Sequence, residues 1–163
     1  MLALTSLALL LATAATPVDP AVDQVVLGDR VVVPIPQGYE AEESALGDDR
    51  WLVTLRGAGC ALTVAVYGGT RPPNHGTALT VHTEELTTRL RAETPNEASQ
   101  RLLGHTVTAR DLRYTLLGAP WRARVAAATK DRRTVVVSAT WPDASPDRET
   151  LLGAIEAIVV RAR

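Results

Sequence analysis

The chain has 163 residues, of which 17 are Lys or Arg and 18 are Asp or Glu, giving a formal net charge of -1. That balance leaves no electrostatic footprint for a nucleic acid or an anionic membrane, and a single cysteine, Cys60, excludes a disulfide scaffold. The length fits one domain that buries its own core without staples.

Leu2 to Ala12, "LALTSLALLLA", is an apolar run followed by the small residues "TAAT". This is the apolar region and cleavage pattern of a secretory signal. It is shorter than the roughly 20 apolar residues that a membrane-spanning helix requires. Residues 1–15 are therefore expected to be a signal peptide cleaved after Ala14 or Ala15, sending the protein to the periplasm or the medium with no integral membrane segment. Residues 16–24, with Pro17 and Pro20, read as a flexible leader. Residues 25–163 read as one α+β domain.

In "VVLGDRVVVPIP", Gly28-Asp29 lies between β-branched runs, the pattern of a two-residue hairpin with glycine first in the turn. Pro34 and Pro36 close the second strand, because proline donates nothing to a ladder. The adjacent carboxylates Glu42-Glu43 and Asp48-Asp49 read as solvated loop charge. Trp51, Val53 and Leu55 then alternate with their neighbours, as do Leu62, Val64 and Val66 after an "RGAG" turn. "TRPPNHGT" is loop by composition.

From Leu79 to Glu93 the apolar period becomes helical, with Thr77 or Thr80 as N-cap and Thr94-Pro95 as the stop. Leu103 to Ala109 and Leu112 to Leu116 alternate in different phase, which predicts a bulge or tight turn at Arg110-Asp111. Trp121, Ala123, Val125 and Ala127, then Val135, Val137, Ala139 and Trp141 after a charged turn, predict an antiparallel hairpin with one buried face. Arg122 and Arg124 fall on the opposite, solvated face. "DASPDRETLLGAIEAIVV" is a helix with Ser145 as N-cap, Pro146 first, and a stripe of Leu151, Leu152, Ile155, Ile158 and Val159. The order is β-β-β-β-α-β-β-β-β-α. Its short connections demand antiparallel neighbours, so the fold class is α+β, a mostly antiparallel sheet flanked by two helices.

Two short motifs, Pro36-Gln37-Gly38-Tyr39 and Gly118-Ala119-Pro120-Trp121, carry a family resemblance. With the element order from Val25 to Val160, the chain resembles the PsbP/Mog1-like fold family, including bacterial envelope proteins of the DcrB type. The resemblance implies a sheet flanked by helices and a binding or assembly role, as in photosystem accessory proteins, GTPase-interacting factors and envelope proteins. No residue role carries over from it, because no shared site maps onto this chain.

Chemistry is sparse in the sequence. There is no G-x-S-x-G elbow, no local Cys-His pairing and no glycine-rich phosphate cradle. A non-enzymatic binding or accessory protein without a cofactor is expected, with an envelope protein as partner. His75, His82 and His105, with Glu85 three residues after His82, are the residue types that suit zinc. Their spacing fits no metal motif, so a metal-dependent hydrolase or metal-binding protein is the second reading and no metal residue is assigned. The third is a structural subunit that self-associates through an exposed strand edge. Contact residues are sought among exposed aromatics and arginines: Tyr39 and Tyr67 near turns, Trp121 at a strand start, and Arg122 and Arg124 as a small basic patch. Cys60 is expected to be a small buried side chain.

Overall fold

The structure is a computed structural model that describes residues 23–162. The expected signal peptide and nearly all of the expected leader lie outside the described residues. Ten strands and two helices follow in the order β1 (Gln24–Leu27), β2 (Val31–Pro34), β3 (Glu40–Ala45), β4 (Arg50–Gly57), β5 (Cys60–Tyr67), α1 (His75–Leu90), β6 (Asn96–Leu102), β7 (His105–Leu116), β8 (Ala119–Lys130), β9 (Arg133–Pro142), α2 (Arg148–Glu156) and β10 (Val159–Val160). They form a seven-stranded sheet in the order β3-β4-β5-β9-β8-β7-β6 and a three-stranded sheet β1-β2-β10. Every pairing is antiparallel. The α+β class and the single domain architecture follow from this.

Turn chemistry sets the large sheet. Four hairpins close through two residues, both with positive φ, at Ala58-Gly59, Leu103-Gly104, Leu117-Gly118 and Asp131-Arg132. This type I′ turn matches the right-handed twist of the flanking strands. The β1–β2 turn has the same sense at Gly28 and Asp29, but Leu27 pairs with Val31, so its loop holds three residues and not the expected two.

A two-residue loop also joins residues whose numbers differ by three at its base, so facing partners have opposite parity. This corrects the expected one-sided β8–β9 hairpin. Ala123, Val125 and Ala127 share a face with Val136, while Ala126 and Ala128 share the other with Val135, Val137, Ala139 and Trp141. Both faces are buried. Arg124 therefore points into a covered face and is 8% exposed, not solvated.

The two faces meet different layers. On one, β1, β2, β10 and α2 bring Leu27, Val31, Val33, Leu151, Ile155 and Ile158 against Val53, Leu55, Leu62 and Val64. On the other, α1 lays Ala78, Leu79 and Leu86 against Ala65, Leu112, Val125 and Val136. The change of cover explains the phase switch in β7 without a bulge. Ala109 faces the first layer, Leu112 and Tyr114 face the second, and the strand runs unbroken through Arg110-Asp111 in regular register.

Other boundaries move for local reasons. Helix α1 starts earlier than expected because Asn74 caps it, its side chain accepting from Gly76 N, and it ends where Arg91 turns left-handed. In α2 the N-cap is Asp147, and Ser145 Oγ instead accepts from Asp147 N within the preceding turn. Glu42 and Glu43 lie on β3, a strand exposed along its whole length, and not in a loop. Residues before Leu102, which gave no apolar alternation, form β6 as the opposite edge.

Candidate binding groove

Helix α1 packs on β7, β8 and β9 and leaves the β4–β5 side of the same sheet face uncovered. A groove of about 540 Å³ runs there between the helix and the strands. Register places Thr54, Thr63 and Ser138 side by side across β4, β5 and β9, with Ala61 and Thr140 in the next row. All five are half-buried, so the floor is a patch of hydroxyls on strands whose opposite face is core. Thr54 and Thr63 stand 3.4 Å apart through their hydroxyls.

His82, Glu85, Leu86 and Arg89 of α1 form one wall, and Tyr114, Leu116 and Trp121 close one end. The Tyr114 and Trp121 rings lie 6.1 Å apart. Burial raises the Tyr114 hydroxyl pKa, while a hydrogen bond with Thr140 works the other way. Arg50 and Arg56 line the β4 side. Arg56 also holds Glu42 of β3 at 2.8 Å, and Arg50 sits over the Tyr67 ring at 5.0 Å.

Tyr67 and His82 link strand to helix. Tyr67 Oη and His82 Nε2 are 2.7 Å apart, with the rings edge to face. Burial lowers the His82 pKa; Glu85 opposes this and Arg50 adds to it. A neutral imidazole accepting the Tyr67 proton at Nε2 fits that direction.

The five residues sought as contacts do not converge. Trp121 lines the groove and Tyr67 braces its wall. Tyr39 is buried at 8% exposure, contrary to the expectation of an exposed aromatic. Its ring lies over Gly57, where an added Cβ would meet it at 2.8 Å, and its hydroxyl donates to Asp147 Oδ2 at 3.2 Å. Burial, then the neighbouring Cys60 and Asp147, raise its pKa. Arg122 and Arg124 face the other side of the sheet, Arg122 on Asp143 at 2.6 Å and Arg124 on Asp111.

Of the histidines only His82 reaches the groove. His75 opens α1 and His105 opens β7, and among the described residues no three His, Cys, Asp or Glu side chains gather as a metal site would require. Cys60 is buried, as expected, with Sγ 3.4 Å from Ser145 Oγ. Sequence reasoning missed Thr54, Thr63, Ser138, Arg50, Arg56 and Arg89. The available signal was the hydroxyls on central strands, at positions where a fully covered sheet carries aliphatic side chains.

No family model matches the sequence, and no curated protein matches it. Solved structures do match the architecture. LpqN of Mycobacterium tuberculosis, described as involved in cell envelope biogenesis, aligns with a TM-score of 0.50 at 12% identity, over 90% of this chain and 88% of its own. A point mutant of the protein Mog1 aligns with a TM-score of 0.50 at 12% identity, over 82% of this chain and 84% of its own. The fold is Mog1/PsbP-like. A Bacteroides thetaiotaomicron structure matches with a TM-score of 0.51 at 10% identity; this chain covers 46% of its length, and 82% of this chain is aligned. At such identities the likeness shows the Mog1/PsbP-like fold alone and does not single out its DcrB branch. Among the described residues no helix is long and apolar enough to cross a membrane.

Proposed function

We propose that this protein is a non-enzymatic binding or accessory protein of the cell envelope, exported to the periplasm or the medium, whose ligand seats in the groove beside α1. One observation carries the reading: the β4–β5 side of one sheet face is left open beside α1, with hydroxyls on its floor and arginines on its sides, where a purely structural sheet would be covered. The fold shared with LpqN, a protein of envelope biogenesis, supports the envelope setting, as does the signal-like start of the sequence.

The test is native mass spectrometry of the full chain expressed in its own host and recovered from envelope and medium, beside a Thr63→Trp variant. Tryptophan suits a strand and fills the floor. The expected result is an added small-molecule mass on the wild type that the variant lacks at unchanged thermal stability, in material beginning at Ala15 or Thr16. Bare wild type, or an adduct retained by the variant, overturns the groove; an uncleaved chain confined to the cytoplasm overturns the setting.

A further inference from the structure

The β7–β8 hairpin closes one end of the groove with Leu116 and Trp121, and its tip, beyond them, carries its own anomaly. Leu103 and Leu117 occupy the same place in matching type I′ turns, each followed by glycine, at φ 54° and 51°. That conformation disfavours a leucine and suits Asn, Asp or Gly. Leu103 compensates by packing in the core at 1% exposure, whereas Leu117 is 99% exposed. Among the described residues nothing repays the strain at Leu117.

Its neighbours share the character. Thr115, Leu116, Gly118, Ala119 and Pro120 are all exposed and uncharged. Behind this tip the cross-strand pairs come in a fixed order: Leu116 with Ala119, Thr115 with Pro120, Tyr114 with Trp121, then Arg113 with Arg122. Apolar tip, aromatic pair and basic pair follow one another along the hairpin. β9 accompanies it only as far as Pro142 opposite Trp121, so the tip projects beyond the sheet.

We infer that this hairpin tip inserts peripherally into a lipid surface, with Leu116 and Leu117 among the acyl chains, Trp121 at the interface and Arg113 at the level of the headgroups. At roughly 3.3 Å per residue, the three steps from Leu117 back to Tyr114 span about 10 Å, which matches the depth of roughly 5–10 Å reached by interfacial segments. Aromatic side chains favour that boundary and basic side chains the headgroup layer. At the base, Arg89 lies in one lining with Leu116 and Trp121, Glu93 N donates to the Arg113 carbonyl, and Arg122 is already held by Asp143, so Arg89 and Arg113 outnumber Glu93 there. The near-neutral net charge rules out attraction by overall charge, so the apolar tip drives the insertion and the arginines orient it.

The test uses the full chain and vesicles of phosphatidylethanolamine and phosphatidylglycerol, with and without bromine on the acyl chains. Wild type is compared with Leu117→Asn, which relaxes the turn and preserves the fold. Both chains carry the same Leu2–Ala12 run, so their difference reports the tip alone. Expected are a loss of vesicle co-sedimentation of at least tenfold in the variant, and bromine quenching of tryptophan fluorescence in wild type that the variant lacks. Equal sedimentation and equal quenching of the two chains overturn the inference. So does failure of the wild type to bind vesicles, including the case where Leu117→Asn instead abolishes self-association or capture of a protein partner, which would assign the tip to an apolar pocket on a protein.

Discussion

Arg124 grips Asp111 across the β7–β8 pair with two parallel bonds, Nε to Oδ1 at 2.7 Å and Nη2 to Oδ2 at 2.9 Å, while Nη1 donates to Gln100 Oε1 at 3.1 Å. The pair is asymmetric in burial: the Arg124 side chain is 10% exposed and that of Asp111 is 32% exposed. The bonds to Asp111 raise the arginine's pKa and outweigh its burial. Removing the carboxylate therefore strands a covered charge, whereas removing the guanidinium leaves a carboxylate that water reaches. Asp111→Ala is expected to cost about 3 kcal/mol, near the low end for breaking a buried pair. Arg124→Met keeps the packing stem and is expected to cost about 1 kcal/mol. Urea unfolding of both variants checks the order, and a costlier Arg124→Met would refute the asymmetry.

The Tyr67–His82 link gives the fold a pH dependence with a definite sign. The folded-state pKa of His82 lies below its ordinary 6.5, so over the interval between those two values the unfolded chain binds more protons than the folded one. Stability is then fully present above 6.5 and is lost as pH falls through the folded value. Urea midpoints measured from about pH 8 to about pH 5, the range in which histidine titrates, should fall more steeply for wild type than for His82→Gln. Identical slopes would show that the imidazole is not held neutral by the wall of the groove.

Gly57 is small because Tyr39 lies against it. A methyl there would meet the ring at 2.8 Å and the Gly38 carbonyl oxygen at 2.9 Å. Backbone cannot yield as a flexible side chain can, so Gly57→Ala is expected to displace Tyr39 and cost about 1–3 kcal/mol through overpacking. Tyr39→Phe keeps the ring and loses the hydroxyl's bond to Asp147 and its contact with Cys60, an expected cost of about 1 kcal/mol. The two values are read from the same denaturant series; a milder effect from Gly57→Ala would contradict the close fit.

How far the sequence reveals the molecule depends on what each element needs. The turns at Ala58-Gly59 and Asp131-Arg132 and the apolar alternation of β4, β5, β8 and β9 are local, and they identify the β4–β5 and β8–β9 hairpins; the Leu103-Gly104 turn reads as strand, because β6 before it carries no alternation to mark where one strand ends. The parity of the hairpins is local as well: a two-residue turn by itself places Arg124 and Trp141 on the same face and Trp121 on the other. The two edge strands were not legible, because β3 and the outer part of β6 bury little and carry no alternation. Nor was the face switch in β7, which depends on α1 covering one end and α2 with the small sheet covering the other. The groove is the least local feature. Its lining comes from five strands and one helix, and only the sheet order brings Thr54, Thr63 and Ser138 into one row.

The β3 edge bears on whether the chain self-associates through strand pairing. Glu40–Ala45 is exposed along its length with one side unpaired, which makes it the open border of the large sheet. Such an edge templates another strand unless charge discourages it, and here Glu40, Glu42 and Glu43 fall within six residues. Two copies pairing antiparallel along this edge would bring those carboxylates together across the new ladder, a repulsive arrangement. Among the described residues only Glu42 is partly offset, by Arg56 of the neighbouring strand. Replacing Glu42 and Glu43 together by Thr keeps β propensity and removes the charge. Light scattering on a concentration series is expected to show the doubly substituted chain associating where wild type does not. An unchanged mass in the variant, or wild type that already pairs through β3, would show that these glutamates do not guard the edge.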